Sequence, residues 1–150
     1  MHVVTGGAYN GKAGWVKQCY ELSDKYHTWI SAYERVPCPD DLSKYNTDLI
    51  ILEGVEQWIR RKVAEENTAF TRNAGKALIE KWVGWTQQHP GYQLVVIGTD
   101  ISKGIVPIEQ VDRKWRDMTG WFYQDLVENC ERFDVIWYGI NNQLKGRNLQ

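Results

Sequence analysis

The chain has 150 residues, of which 43% are hydrophobic and 25% are charged, a composition typical of one soluble globular domain spanning residues 1–150. The 18 lysines and arginines nearly balance the 19 aspartates and glutamates, so the net charge of -1 provides no positive field for nucleic acid, and any anion site must be local. No apolar run approaches the roughly 20 residues that a membrane span needs, which argues against a membrane protein.

The first half of the chain predicts strands that are separated by helices or loops. A short β-rich run at 2–5 ends at two glycines, and from Trp15 onward apolar residues recur at helical spacing. Residues 29–33 predict a second strand, and residues 34–47, which contain two prolines and several acids, predict a loop. The continuous apolar run at 48–53 predicts a strand that is buried on both faces of a parallel sheet.

The second half continues this alternation of strands and helices. Apolar spacing predicts two helices at 55–63 and 70–85, a buried strand at 94–97, a long helix at 111–130 and a closing strand at 133–138. Apolar strands that alternate with helices predict an α/β fold with a mainly parallel sheet and helices on both sides.

Three cysteines with no close spacing, Cys19, Cys38 and Cys130, favour reduced thiols over a disulfide framework. The first residues are predicted as a strand and lack the basic and apolar segments of an export signal, so we expect a cytoplasmic protein. Eight tryptophans are many for this length, and we expect some at an interface or a pocket because the ring has one polar N–H.

A glycine-rich loop connects the first strand to the first helix. Residues 6–12 match the phosphate-binding pattern G-x-x-x-x-G-K, with Gly6, Gly11 and Lys12 at its fixed positions. Backbone N–H groups and a helix N-terminus favour phosphate there, and Lys12 would reach the β- and γ-phosphates of a nucleotide. The pattern then fails, because Ala13 stands where a hydroxyl normally binds Mg²⁺. The alternative interpretation is an ordinary glycine turn with a solvated lysine.

Two carboxylates follow predicted strands. Glu53 ends a central strand, at the edge of an open α/β sheet where ligands bind, and would hold a metal-bound water. The alternative for Glu53 is a carboxylate that stabilises the N-terminus of the next helix. Asp100 follows the strand at 94–97 and is a weaker metal candidate, since Asp is also a common turn residue.

Three separated blocks of sequence match one known family. Residues 4–12, V-T-G-G-A-Y-N-G-K, are similar to that family's V-T-G-G-A-R-S-G-K-S, and residues 51–58 resemble its strand that ends in an acid before a helix. A third group, similar to the family's G-I-V-P, R-x-F-R-D-x-x-G and G-x-x-x-x-L-K, lies at 104–107, 113–120 and 139–145. The chain thus resembles a divergent, shortened member of the bifunctional adenosylcobinamide kinase/adenosylcobinamide-phosphate guanylyltransferases of cobalamin biosynthesis.

The resemblance implies a P-loop NTPase-like (RecA-like) fold and an enzyme that uses GTP or ATP with Mg²⁺. Such an enzyme phosphorylates the corrinoid substrate adenosylcobinamide and then transfers GMP to that phosphate through a guanylylated histidine. The resemblance also implies that Lys12 and Glu53 are catalytic, that Glu53 and more weakly Asp100 lie near the metal, and that the chain forms a homo-oligomer, with a trimer favoured. The nucleotide would bind at Gly6, Gly7, Ala8, Tyr9, Asn10, Gly11, Lys12 and Ala13.

The sequence departs from this family at three chemical positions. Ala13 lacks the hydroxyl, and residues 34–47, where the family has its nucleophilic histidine in an H-x-x-x-R-P-like stretch, contain no histidine. Thr99-Asp100 replaces an Asn-Glu pair, and His27 and His89 are interpreted as surface or capping residues. Two hypotheses follow: a kinase with weakened or lost guanylyltransferase activity, or a catalytically inactive relative that serves as a nucleotide-binding or regulatory subunit.

Overall fold

The computed structural model describes residues 1–65, 69–102 and 109–146, which form one six-stranded sheet with helices on both faces. The strand order is β2-β3-β4-β1-β5-β6; the first five strands of that order are parallel, and β6 runs antiparallel to β5. The strands are β1 (His2–Gly6), β2 (Thr28–Ser31), β3 (Leu49–Glu53), β4 (Gln93–Thr99), β5 (Arg132–Trp137) and β6 (Ile140–Lys145).

Four α-helices pack on the sheet, and three short 3-10 turns lie between the strands in the described residues. Helices α2, α3 and α4 cover one face with the larger core, whereas the smaller core of the other face includes Val16 of α1. The helices are α1 (Lys12–Cys19), α2 (Val55–Ala64), α3 (Arg72–Thr86) and α4 (Gln110–Asn129), and the 3-10 turns are Leu22–Asp24, Ala32–Glu34 and Leu42–Lys44.

The central strands are apolar because both of their faces are covered. In β3 the side chains of Ile50 and Leu52 enter the larger core, and those of Leu49 and Ile51 enter the smaller one. This alternation follows from the two-residue period of a strand. A strand that is covered on both faces needs apolar side chains at every position, and this is the continuous apolar run from which the strand was predicted.

Parallel pairing brings the carboxyl ends of three strands to the same edge of the sheet. Gly6 at the end of β1 pairs with Thr99 at the end of β4, and Glu53 at the end of β3 pairs with Ile97. The glycine loop, the residues after β3 and the residues after β4 consequently meet at this edge.

The structure confirms the predicted α/β fold, with a mainly parallel sheet and the P-loop NTPase-like (RecA-like) arrangement. Among the described helices, none is both long enough and apolar enough to cross a membrane. The G-I-V-P motif at 104–107 lies outside the described residues.

Two details of the predicted elements are wrong. The strand predicted at 29–33 ends at Ser31, because the hydroxyl of Ser31 accepts the N–H of Tyr33 at 3.2 Å and starts a 3-10 turn. The strand at 133–138 is not the closing strand, since β6 follows it after a two-residue turn. Strand β6 has the sequence INNQLK and is largely exposed, so it lacks the alternation of a half-buried strand.

Candidate nucleotide-binding site

A cleft of about 470 Å³ opens at the sheet edge where β1, β3 and β4 end. Of the predicted site residues, six line this cleft: Ala8, Tyr9, Gly11, Lys12, Ala13 and Glu53. Gly6, Gly7 and Asn10 are not among its described lining residues, but they shape the loop that does line it. Side chains that were not predicted contribute as well, chiefly Tyr33, Glu56 and Thr99.

Two glycines of the loop are required by geometry. A Cβ atom on Gly6 would lie 2.5 Å from the carbonyl oxygen of Ile136, so a larger residue would separate β1 from β5. Gly11 has a φ of 84°, in the left-handed region, and a Cβ there would lie 3.3 Å from the Cα of Gly139. A left-handed backbone with so little space favours glycine.

Asn10 fastens the glycine loop to the turn between β5 and β6. Its carbonyl oxygen accepts the N–H of Gly139 at 2.7 Å, and its side-chain oxygen accepts the N–H of Tyr138 at 3.2 Å. The hairpin of β5 and β6 therefore anchors the glycine loop. The two linked residues, Asn10 and Tyr138, are 128 residues apart in sequence.

Lys12 is the first residue of α1, and its ammonium group donates a hydrogen bond to the carbonyl oxygen of Gly7 at 2.8 Å. Burial lowers the pKa of Lys12, while the nearby carboxylates of Glu56 and Glu53 oppose that shift. Among the described residues that line the cleft, Lys12 alone is a cation. It is thus the side chain that is placed to meet a polyanion.

The N-terminus of α1 also faces the cleft. Gly11 precedes the helix without a side-chain cap, and Lys12, Ala13 and Gly14 of the first turn line the cleft. The first N–H groups of a helix have no partner within the helix and carry its positive dipole. This helix end therefore favours an anion, although Ala13 offers no hydroxyl to a metal.

Glu53 is half-buried at the end of β3 and accepts a hydrogen bond from the indole N–H of Trp29 at 3.2 Å. The ammonium group of Lys17 lies over the Trp29 ring, 5.2 Å from its centre. The sequence predicted that some tryptophans lie at an interface or a pocket, and Trp29 is one that does, since its N–H orients the Glu53 carboxylate. One oxygen of Glu53 accepts this bond, and Glu53 lines the cleft.

Glu56 was not among the predicted site residues, yet it organises the floor of the cleft. Only 1% of its surface is exposed. One carboxylate oxygen accepts the backbone N–H of Thr99 at 2.8 Å, and the other accepts the hydroxyl of Tyr33 at 2.7 Å. Burial and the Glu56 carboxylate raise the pKa of Tyr33, although a hydrogen bond to Thr99 opposes the shift. The sequence signal that could have indicated the burial of Glu56 was its position beside Val55 and Ile59 on the apolar face of α2.

The weaker metal candidate, Asp100, is engaged in its own turn. One of its carboxylate oxygens accepts both the backbone N–H of Ser102, at 2.8 Å, and the hydroxyl of Ser102, at 2.6 Å. It is not among the described residues that line the cleft. In addition, no group of three His, Cys, Asp or Glu side chains suited to a metal occurs in the described part of the chain.

All three histidines are engaged outside the cleft lining. His2 is buried between Asp134 and Tyr20, with both ring nitrogens 2.6 Å from their oxygens. A ring nitrogen of His27 lies 2.8 Å from the carbonyl oxygen of Lys25, and His89 accepts the N–H of Gly91. No histidine is thus in place at the glycine loop to act as a nucleophile.

Strand β1, the glycine loop and α1 together define an α/β protein of the P-loop NTPase-like class. The chain belongs to the family described as cobinamide kinase / cobinamide phosphate guanyltransferase, whose model matches residues 23–144. The match begins after the glycine loop, so the interpretation of residues 6–13 depends on their sequence pattern and geometry.

A curated relative adds one comparison. The chain is similar to the bifunctional adenosylcobalamin biosynthesis protein CobP of Pseudomonas aeruginosa, with 32% identity over 60 residues. The matched stretch covers 40% of this chain and 34% of the relative, so the similarity spans about a third of the relative's length.

Proposed function

We propose that this protein is a kinase that transfers the γ-phosphoryl group of GTP or ATP to adenosylcobinamide. The observation that carries the proposal is the position of Lys12 at the start of α1, inside a cleft formed by the glycine loop. Membership of the cobinamide kinase family supports the substrate class, and the relative's name supports a role in cobalamin biosynthesis.

The residues of the cleft suggest how the phosphates are bound. Loop N–H groups from Ala8 to Lys12 and the N-terminus of α1 would cradle the β-phosphate, and Lys12 would exchange its bond to Gly7 for a phosphate oxygen. Positioned charges of this kind stabilise the negative charge on the transferred group. The lysine and the loop N–H groups all belong to residues 8–12, so one short stretch of the chain would supply these phosphate contacts.

The available oxygen ligands suit a Mg²⁺ ion that keeps most of its water. Both oxygens of Glu56 accept hydrogen bonds, whereas Glu53 accepts the one from Trp29 and lines the cleft. Mg²⁺ usually retains several waters and takes few protein oxygens. Glu53 would hold the ion through water, and the ion when bound would neutralise charge on the phosphates. Ala13 deprives it of the usual hydroxyl, which predicts a slow enzyme.

We further propose that the guanylyltransferase activity is weakened or lost. Residues 34–47 contain no histidine, and His2, His27 and His89 are engaged away from the cleft lining. A covalent guanylyl intermediate of the type that the family resemblance implies has no evident nucleophile in the described residues. Incubation with GTP labelled at the α-phosphate tests this, with no label expected on the protein; stable label on a histidine would contradict it.

An inactive relative that binds nucleotide as a regulatory or partner subunit is the second candidate. The absence of the hydroxyl at Ala13 and the engaged Asp100 carboxylate both favour it. The two candidates share nucleotide binding and differ in turnover.

Turnover by matched variants separates the two candidates. Adenosylcobinamide is incubated with Mg²⁺ and GTP or ATP, using the wild-type protein, Ala13→Ser and Lys12→Ala. We expect slow phosphorylation by the wild type, a faster rate for Ala13→Ser because the metal gains a ligand, and none for Lys12→Ala. Nucleotide binding without product from either the wild type or Ala13→Ser would establish the inactive relative.

We also propose a cytoplasmic homo-oligomer, with a trimer favoured. The hairpin of β5 and β6 exposes apolar side chains that would be covered in an assembly, among them Trp137, Ile140 and Leu144. Sedimentation equilibrium measures the assembled mass directly. Three times the mass of the chain is the expected result, and a monomer at all concentrations would contradict the proposed assembly.

A further inference from the structure

Two tyrosines project into solvent beside the glycine loop. Tyr9 lies on the loop and Tyr138 lies in the turn between β5 and β6, with relative exposures of 103% and 86%. Aromatic side chains normally bury much of their surface, since that burial dominates their contribution to stability. Neither ring therefore contributes to the core of the fold.

Both tyrosines also have backbone conformations that are unfavourable for residues other than glycine, Asn and Asp. Their φ values are 61° for Tyr9 and 50° for Tyr138, in the left-handed region. Tyr138 and Gly139 form the two-residue turn with positive φ at both positions, where Asn or Asp normally precedes Gly. A non-glycine residue held in this region stores backbone strain, and such strain concentrates at ligand sites.

Asn10 links the two backbone segments that carry these tyrosines. Tyr9 directly precedes Asn10 and itself lines the cleft, and the N–H of Tyr138 donates to the side-chain oxygen of Asn10 at 3.2 Å. The carbonyl oxygen of Asn10 accepts the N–H of Gly139 at 2.7 Å, which fixes the turn against the loop. Two exposed aromatic rings are thus carried by segments that are joined at the phosphate-binding loop.

We infer that Tyr9 and Tyr138 form a stacking platform for the base of the bound nucleotide. The inference rests on the proposed binding of GTP or ATP at the glycine loop. A triphosphate held by the loop would leave the nucleoside beside it, where the flat face of the base fits an exposed aromatic ring. Stacking uses the π-face that every base has, so the platform accepts guanine and adenine alike.

The test compares nucleotides with a ligand that lacks a base. Dissociation constants for GTP, ATP and inorganic tripolyphosphate are measured by titration calorimetry with Mg²⁺. The variants are Tyr9→Asn and Tyr138→Asn, which remove the ring and suit a left-handed backbone. Tyr9→Phe and Tyr138→Phe keep the ring, and Tyr26→Ala removes an exposed tyrosine elsewhere, 80% exposed.

We expect each Asn variant to bind both nucleotides roughly 10-fold or more weakly, as loss of a base–aromatic stack predicts. Binding of tripolyphosphate should change by less than a factor of two, and this also reports that the loop is intact. The Phe variants and Tyr26→Ala should match the wild type.

Nucleotide binding by both Asn variants that equals wild-type binding would overturn the stacking platform and leave the proposed kinase standing. A parallel loss of tripolyphosphate and nucleotide binding would also overturn it, since the tyrosines would then support the loop and not the base. If the wild type binds neither nucleotide, both the platform and the proposed function are wrong.

Discussion

A single buried carboxylate joins the elements around the cleft. Glu56 on α2 accepts hydrogen bonds from Thr99 at the end of β4 and from Tyr33 after β2, and its backbone carbonyl accepts the indole N–H of Trp115 on α4. A buried polar group with all of its partners in place fixes one arrangement of the elements around it. Glu56 therefore fixes the positions of these elements relative to one another at the cleft.

Removal of this carboxylate should cost stability. Glu56→Ala leaves two partly buried donors without their acceptor: the N–H of half-buried Thr99 and the hydroxyl of Tyr33, a residue that is 52% exposed. We expect the free energy of unfolding to fall by about 1–2 kcal/mol, because an unsatisfied buried group costs about 1–3 kcal/mol and water can reach the exposed side of Tyr33. Urea denaturation measures the difference. The control Glu80→Ala, on the exposed side of α3, should stay within about 0.5 kcal/mol of the wild type.

A second buried residue, His2, makes the free energy of unfolding depend on pH. Burial lowers the pKa of His2 from 6.5 to about 4, although hydrogen bonding and charge from Asp134 oppose the shift, and Arg132 beside Asp134 adds to it. In the unfolded chain this histidine takes a proton near pH 6.5, whereas the folded protein resists protonation until about pH 4. The unfolded state thus binds more protons between these values, and folding loses stability as the pH falls.

The expected loss between pH 6.5 and pH 4 is on the order of 3 kcal/mol from this group. Denaturation curves of the wild type and His2→Gln at several pH values give the difference. His27 and His89 are present in both proteins, so their contributions cancel. Equal slopes for the two proteins over this interval would refute the assignment to His2.

At the scale of elements, helix α3 contains two glycines in different surroundings. A Cβ on Gly84 would meet no atom within 4 Å, whereas a Cβ on Gly75 would lie 3.1 Å from the ring of Phe122 on α4. Glycine inside a helix is less favourable than alanine by about 0.5–1 kcal/mol. The first glycine is consequently open to improvement, and the second allows α3 and α4 to pack closely.

We expect Gly84→Ala to raise the free energy of unfolding by about 0.5–1 kcal/mol. Gly75→Ala should gain less than that or lose stability, because Phe122 must shift to make room. Thermal or urea unfolding of the two variants side by side provides the comparison. A gain from Gly75→Ala as large as that from Gly84→Ala would show that the helix contact is loose.

The elements that sequence predicted well are those whose burial pattern is simple. Strand β3 is buried on both faces, and α4 has one apolar face, so a continuous run and a helical period identified them. Strand β6 was missed because its residues are polar and exposed at the sheet edge. The glycine loop was recognised from its spacing, whereas Glu56 depends on partners at Tyr33 and Thr99 that only the folded chain brings together.

At the scale of the whole molecule, a ligand that binds only the folded chain stabilises it. A nucleotide at about 100 times its dissociation constant adds about 2.7 kcal/mol to the free energy of unfolding. For a chain of this length that corresponds to a rise in melting temperature of about 5–10 °C. We expect this rise with Mg²⁺ and GTP or ATP for the wild type and for the exposed-lysine variant Lys76→Ala, and not for Lys12→Ala.

Thermal shift profiles with and without nucleotide provide the measurement. An equal rise in Lys12→Ala would show that the nucleotide binds away from the glycine loop. An absence of any rise in the wild type at saturating nucleotide would remove the basis of the proposed kinase.

The identity of the corrinoid product is the most direct test of the central proposal. Purified protein is incubated with adenosylcobinamide, Mg²⁺ and GTP. The corrinoids are then separated and identified by mass spectrometry. The predicted product is adenosylcobinamide phosphate, without the GMP-linked corrinoid of the complete reaction. Recovery of unchanged adenosylcobinamide from a protein that binds GTP would contradict the kinase, and recovery of the GMP-linked corrinoid would contradict the loss of guanylyl transfer.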